Sequence, residues 1–132
     1  EALMLAKRGG LDLTASFEAI LNSSGNSFVH ETESQIILNG SRDINFTMDL
    51  VVKDISLFDS IARQNHVPVE LSPLIVDIFT KGVAAYGPRE HSPNIIRRYE
   101  EPLGIKVLGT GFPAEMVDDE PEEAGYEIVP RR

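Results

Sequence analysis

The stretch from Asn45 to His66 (NFTMDLVVKDISLFDSIARQNH) runs 22 residues with neither Gly nor Pro and carries a strong helical repeat. At about 100° per residue, Met48, Leu50, Val51, Val52, Ile55, Leu57, Phe58, Ile61 and Ala62 form one broad apolar arc. Asp49, Lys53, Ser56, Ser60, Arg63 and Gln64 gather opposite. A helix apolar over so much of its circumference must be packed against other elements, which makes this stretch the expected centre of a helical domain. Asp54 interrupts the arc among Leu50, Leu57, Phe58 and Ile61. On this spacing it is expected to be buried and to accept backbone N–H groups from a neighbouring helix end, because an unpaired buried carboxylate costs several kcal/mol. Lys53 points away from that core, with Asp49 at i−4 as its expected ion-pair partner.

The other segments read as helices too. Residues 1–8 are strong helix formers stopped by Gly9-Gly10. Asp12 or Thr14 caps a second helix that runs through Phe17, Ile20 and Leu21 to the Asn22–Asn26 break. Residues 27–38 form a third, with Phe28, Val29, Thr32, Ile36 and Ile37 near one face. Val67-Pro68 closes the central helix, and residues 69–86 form a fifth with Pro73 in its first turn. Ser92-Pro93 is a cap-plus-proline start for a short helix over Asn94–Glu101, closed by Pro102 and Gly104. Only Ile105–Leu108 hints at a period of two. The fold class is all-α, a multi-helix bundle over residues 1–103, followed by an irregular acidic tail over 104–132 with prolines at 113, 121 and 130. Glu1 is not an initiator methionine and reads as helical at once, so the chain is expected to begin inside a helix of a longer protein. Apolar residues within 1–8 and at the helix ends predict self-association.

Charge and composition remove several function classes. The net charge of -9 argues against a nucleic-acid partner. Almost half of the acidic excess lies in the last 29 residues. The absence of cysteine excludes disulfides and thiolate metal sites. No apolar run approaches the ~18 residues of a membrane span and no signal-peptide pattern is present, so no membrane partner is expected and the default compartment is cytoplasmic. His30, His66 and His91 show no metal-ligand spacing, and no serine sits in a G-x-S-x-G setting. Gly109-Thr110-Gly111 is too short for a phosphate loop, and Glu100-Glu101 reads as a solvated helix end. No catalytic residue and no metal site is expected within the chain.

Three ordered stretches resemble one family. Phe46-x3-Leu50-x2-Lys53-Asp54-Ile55 is similar to the F-x3-L-x2-K-D-[LIM] segment of the β-hydroxyacid dehydrogenases. Glu1-Ala2-Leu3-x-Leu5-Ala6-x3-Gly10-Leu11-Asp12 resembles the E-A-L segment that follows their catalytic lysine. Ser23-Ser24-Gly25-x-Ser27 and Ile95-x3-Tyr99-Glu100 fall in the right order. The resemblance covers residues 1–103 and implies the C-terminal domain of a 3-hydroxyisobutyrate dehydrogenase-like enzyme, similar to the 6-phosphogluconate dehydrogenase C-terminal domain. It implies an N-terminal Rossmann domain as partner, NAD or NADP as cofactor, a small 3-hydroxy acid as substrate and a homo-oligomer. The lysine acid/base and the G-x-G-x-x-G loop would precede Glu1, leaving this chain inactive alone. Lys53 and Phe46 are the implied cofactor-binding residues. Gly87-Pro88-Arg89-Glu90-His91-Ser92 departs from the family's Gly-x-x-Asp-x-Ser, which leaves the substrate open. The competing reading is a non-enzymatic helical interaction or oligomerisation module.

Overall fold

The computed structural model describes residues 1–114. Six α-helices follow one another: α1 (Ala2–Arg8), α2 (Leu13–Leu21), α3 (Phe28–Leu38), α4 (Met48–Gln64), α5 (Leu71–Tyr86) and α6 (Arg97–Leu103). A 3₁₀ turn over Ser92–Ile96 leads directly into α6. The described residues contain no strand, and Ile105–Leu108 is extended without a ladder. The all-α fold expected from the sequence is the fold observed.

Local chemistry sets most boundaries. Asp12 caps α2 by accepting the Ala15 N–H at 2.8 Å, and Ser27 caps α3 by accepting the His30 N–H at 3.0 Å. Past the end of α4, His66 takes a left-handed conformation (φ 55°), which brings the Val67 N–H to the Ala62 carbonyl at 2.9 Å. The short helix over Asn94–Glu101 is displaced: a 3₁₀ turn occupies Ser92–Ile96 and the α-helix starts at Arg97. Ser92 is not its cap; its hydroxyl reaches Glu33 at 3.4 Å instead.

The molecule has a body and an arm. The body is built from α1, α2, α3, α6 and residues 105–113 around Leu3, Met4, Leu13, Phe17, Leu38, Ile96 and Val107. Phe17 stacks on His30 (4.6 Å between centroids) and meets Phe112 edge-on at 5.3 Å. Residues 105–113 lie across the body as an extended strap. Gly109 N–H bonds Leu38 O at 2.9 Å, Thr14 donates to Thr110 O at 2.8 Å, and Asn39 donates to Pro113 O at 2.7 Å. Phe28 and Val29 on α3 face solvent, while His30, Ile36 and Leu38 of that helix are buried.

The arm is the α4–α5 hairpin, whose two helices pack chiefly on each other. Its root is held by backbone. Met48 N–H and Asp49 N–H, in the first turn of α4, bond the carbonyls of Glu90 (2.9 Å) and Pro88 (3.0 Å), and Ser92 N–H bonds Phe46 O at 2.8 Å. A methyl at Gly82 would stand 2.6 Å from Ile95 Cδ1 and 3.1 Å from Met48 Sδ, so glycine lets α5 lie close to the 3₁₀ turn and any side chain there would push those two aside.

Candidate functional site

The apolar arc of α4 divides in two. Met48, Val51, Asp59 and Ala62 are buried, with Val52 and Ile55 half-buried beside them. The other half, Leu57, Phe58 and Ile61, is 50 to 60% exposed. Asp54 belongs to this outer half. Its side chain is 53% exposed, which corrects the expectation of a buried carboxylate. Helical spacing gives the angle between residues but not which part of a wide arc meets a neighbour. The buried carboxylate is Asp59, five residues on. It accepts the Ser72 hydroxyl at 3.1 Å and Arg63 Nε at 2.8 Å, and so ties α4 to the first turn of α5. The 48, 51, 55, 59, 62 spacing contains the signal for Asp59.

Lys53 stands on the polar side of α4 with Ser56, Ser60 and Gln64, and its side chain is 65% exposed. Its ion-pair partner is Asp54 at 2.9 Å, not Asp49. Asp49 turns to the helix start, where it accepts the Leu50 N–H at 2.9 Å and Arg89 at 3.3 Å. The Thr47 hydroxyl, with Arg89 behind it, lowers the Asp49 pKa. Phe46 precedes α4, half-buried, with its backbone bonded to Ser92. Lys53 therefore stands about 7.5 Å along the helix from its first residue, an exposed cation whose one ion pair is itself exposed.

Glu100 is not a solvated helix end. It is 2% exposed and accepts Arg42 Nη2 at 2.7 Å and the Val107 N–H at 2.8 Å, with Lys106 at 3.5 Å. Burial pushes its carboxyl up, but the hydrogen bonds from Arg42 and Val107 outweigh it and hold the pKa below the ordinary value. Arg42 lies 58 positions away, so no local pattern announces the pair. Glu33 is shifted upward by burial, against a weaker pull from Ser92.

His30 is a buried structural residue. Its Nε2 donates to Phe17 O at 3.0 Å, leaving Nδ1 to accept the Ser34 hydroxyl at 2.9 Å. No group of three or more His, Cys, Asp or Glu is placed to hold a metal among the described residues, and none of their helices is long and apolar enough to cross a membrane. In the Gly109-Thr110-Gly111 stretch, the Gly109 N–H bonds Leu38 O and the Thr110 carbonyl accepts the Thr14 hydroxyl, so these groups fasten the strap to the body. A mostly apolar cleft of about 530 Å³ separates the arm from the body. Ile75, Ile78 and Phe79 of α5 share its lining with Ile20, Ile37 and Ile95, and neither Lys53 nor Phe46 lines it.

Residues 1–99 match the family described as NAD-binding of NADP-dependent 3-hydroxyisobutyrate dehydrogenase. The chain belongs to this family. The match covers α1 to α5, the 3₁₀ turn and the start of α6. An L-threonate dehydrogenase of Escherichia coli is 30% identical over 93 residues, 70% of this chain and 31% of the relative. A 2-(hydroxymethyl)glutarate dehydrogenase of Eubacterium barkeri is 32% identical over 110 residues, 83% of this chain and 36% of the relative. The crystal structure of a 3-hydroxyisobutyrate dehydrogenase from Salmonella typhimurium superposes with a TM-score of 0.63 at 28% identity, covering 71% of this chain and 33% of that one. The chain spans about a third of the length of these relatives. The family resemblance drawn from the E-A-L and K-D segments is borne out. The residues present fit one side of a dinucleotide or hydroxy acid: an exposed ammonium for phosphate or carboxylate oxygens and a row of hydroxyls beside it.

Proposed function

We propose that this domain forms the helical wall of the active-site cleft in an NAD(P)-dependent 3-hydroxyacid dehydrogenase. Its partner there is an N-terminal Rossmann domain of the same protein, which supplies the cofactor's binding loop and the lysine acid/base. The parent reaction is reversible hydride transfer between the carbinol carbon of a small 3-hydroxy acid and the nicotinamide ring. Lys53 reaches across the cleft to cofactor or substrate oxygens, with Phe46 at the same end of the arm, and this part of the chain alone is inactive. The single observation that supports this most is Lys53, whose side chain is 65% exposed on the polar side of α4 in a chain of this family. A cation in that position holds a substrate in register rather than doing bond chemistry.

The test is Lys53→Ala in the dehydrogenase that carries this domain. kcat/KM should fall at least about tenfold, with KM for NAD(P) or the hydroxy acid raised. Unchanged kinetics would return Lys53 to an ordinary exposed lysine. NAD(P)-dependent oxidation of a hydroxy acid by the 132-residue chain alone would overturn the division of labour.

A second reading, a helical interaction or oligomerisation module, is favoured by the large apolar side chains left in solvent, Phe28, Leu57, Phe58 and Leu71 among them. Within the dehydrogenase reading the same surface makes this the homo-oligomerisation domain. The coding sequence upstream of Glu1 separates the two readings. A strand followed by G-x-G-x-x-G supports the enzyme, and an unrelated domain supports the module.

A further inference from the structure

Asn39-Gly40 is the only Asn-Gly dipeptide in the chain, and it stands where α3 ends and the strap is fastened. Asn39 closes the helix, with its N–H on Gln35 O at 2.8 Å. Gly40 follows in the left-handed region (φ 84°), where glycine is favoured, and returns its own N–H to Ile37 O at 3.2 Å. The strap bears on both residues. Leu108 lies against Gly40, and Gly109 N–H holds Leu38 O, one residue before Asn39. The Asn39 side chain is used as an amide at both ends. Its Oδ1 accepts the Ser41 N–H at 2.7 Å, while its Nδ2 donates to Pro113 O at 2.7 Å and to Ala114 O at 3.4 Å. Only an amide serves both sets of partners, because a carboxylate has no proton to offer the two carbonyls.

Asn-Gly is also the pairing whose side-chain amide is most easily lost. With no Cβ on the second residue, its backbone nitrogen meets little obstruction on the way to the side-chain carbonyl carbon. Gly40 N gives up its proton and bonds to Asn39 Cγ, and the Cγ–Nδ2 bond breaks to release ammonia. Water then opens the cyclic imide at either carbonyl. One opening leaves aspartate, the other isoaspartate with an extra methylene in the backbone. One water enters, one ammonia leaves, and nothing is oxidised or reduced. The folded domain opposes the first step in two ways. The strap draws the Asn39 amide toward Pro113, and the helix end keeps Gly40 N–H on Ile37 O with Asn39 near helical (φ -78°, ψ -15°).

We propose that Asn39 is a deamidation site guarded by the strap. While the strap is docked, the amide persists. When the strap lifts, Asn39 is converted, and the carboxylate that replaces the amide no longer clamps Pro113 and Ala114. Each lifting long enough for the ring to close is recorded irreversibly.

Peptide mapping by mass spectrometry, during storage of the 132-residue chain in mildly alkaline buffer, follows conversion at each asparagine. Asn39 should convert at least about tenfold more slowly than in a synthetic peptide of residues 35–44, because the folded chain must first open locally. Phe112→Ala removes the ring packed on Phe17, and Thr14→Val removes the donor to Thr110 O. Each should raise the Asn39 rate severalfold and leave the rates at Asn22 and Asn26 unchanged. Asn39→Asp should raise hydrogen exchange at the Gly109 N–H by about fivefold or more, the loss of one clamping hydrogen bond, while α3 stays protected. Conversion of Asn39 at the peptide's rate, or a rate unchanged in either strap variant, overturns the guard. A parallel rise at Asn22 and Asn26 assigns the effect to general loosening and overturns it as well. Unchanged exchange at Gly109 in Asn39→Asp overturns the loss of the clamp.

Discussion

Arg42–Glu100 and Lys53–Asp54 are the same pairing of cation and carboxylate at opposite extremes of solvation. Glu100 has no exposed side-chain surface and is shared by Arg42, the Val107 N–H and Lys106. Asp54 and Lys53 are each more than half exposed and, among the described residues, hold only each other. The first pair is fixed because breaking it leaves an ion without water. The second is cheap to break, since surface pairs contribute about 0–1 kcal/mol. A residue that must leave its partner for a ligand belongs in the second class. The comparison therefore marks Glu100 as structural and Lys53 as available.

The largest expected effect breaks the buried pair. Glu100→Ala should cost about 3–5 kcal/mol, because Arg42 remains buried without its counter-ion. Thermal unfolding followed by circular dichroism measures it, and a loss below about 1 kcal/mol would erase the distinction between the pairs. The pH dependence has a definite sign. The folded-state pKa of Glu100 lies below its ordinary value, so its contribution is present at neutral pH and is lost as pH falls through that lowered pKa. Glu100→Gln should flatten the acid limb of the stability curve.

Asp59 is intermediate, buried but with one exposed partner in Arg63. Asp59→Ala should cost about 1–2 kcal/mol by orphaning Ser72 and loosening the hairpin. Backbone hydrogen exchange should rise first in α4 and α5, and uniform loss of protection across the body would count against a local role.

Glu33 has the opposite sign. Burial raises its pKa, so the folded state is disfavoured as pH rises through the interval above the ordinary carboxylate value. Glu33→Gln should stabilise by about 0.5 kcal/mol or less at neutral pH, and the gain should vanish in acid. At the smallest end, Lys53→Ala should change stability by no more than about 0.5 kcal/mol. A greater loss would mean that Lys53 is part of the scaffold.

The sequence was readable where the determinants are local. Asp12, Ser27, Gly9 and Pro73 act within a turn of where they stand, and α1 to α5 begin and end within about three residues of the expected limits. It was not readable where a contact depends on a distant segment. Glu100 looked like one more acid beside Glu101 because Arg42 and Val107 reach it only through the tertiary fold. Asp54 and Asp59 exchanged roles for a related reason: the apolar arc of α4 is wide enough for two neighbours, and periodicity does not say which half α5 takes. Lys53 was legible because an exposed polar face needs no partner to be recognised. Its assignment to a cofactor came from the K-D segment and not from its angle.

The strap has a practical consequence. Val107 is fully buried, and its N–H is one of the donors that hold Glu100 ionised in the core. A protease cut just after Leu103 would therefore remove a plug rather than trim a loose end. It would open a hydrophobic hole beside Phe17 and Leu38 and take a hydrogen bond from a buried anion in the same stroke. Limited proteolysis should find Ile105–Phe112 protected as long as the body is folded, and any shortened form that is to keep the domain intact should run at least to Ala114, where Asn39 makes the last contact of the strap among the described residues.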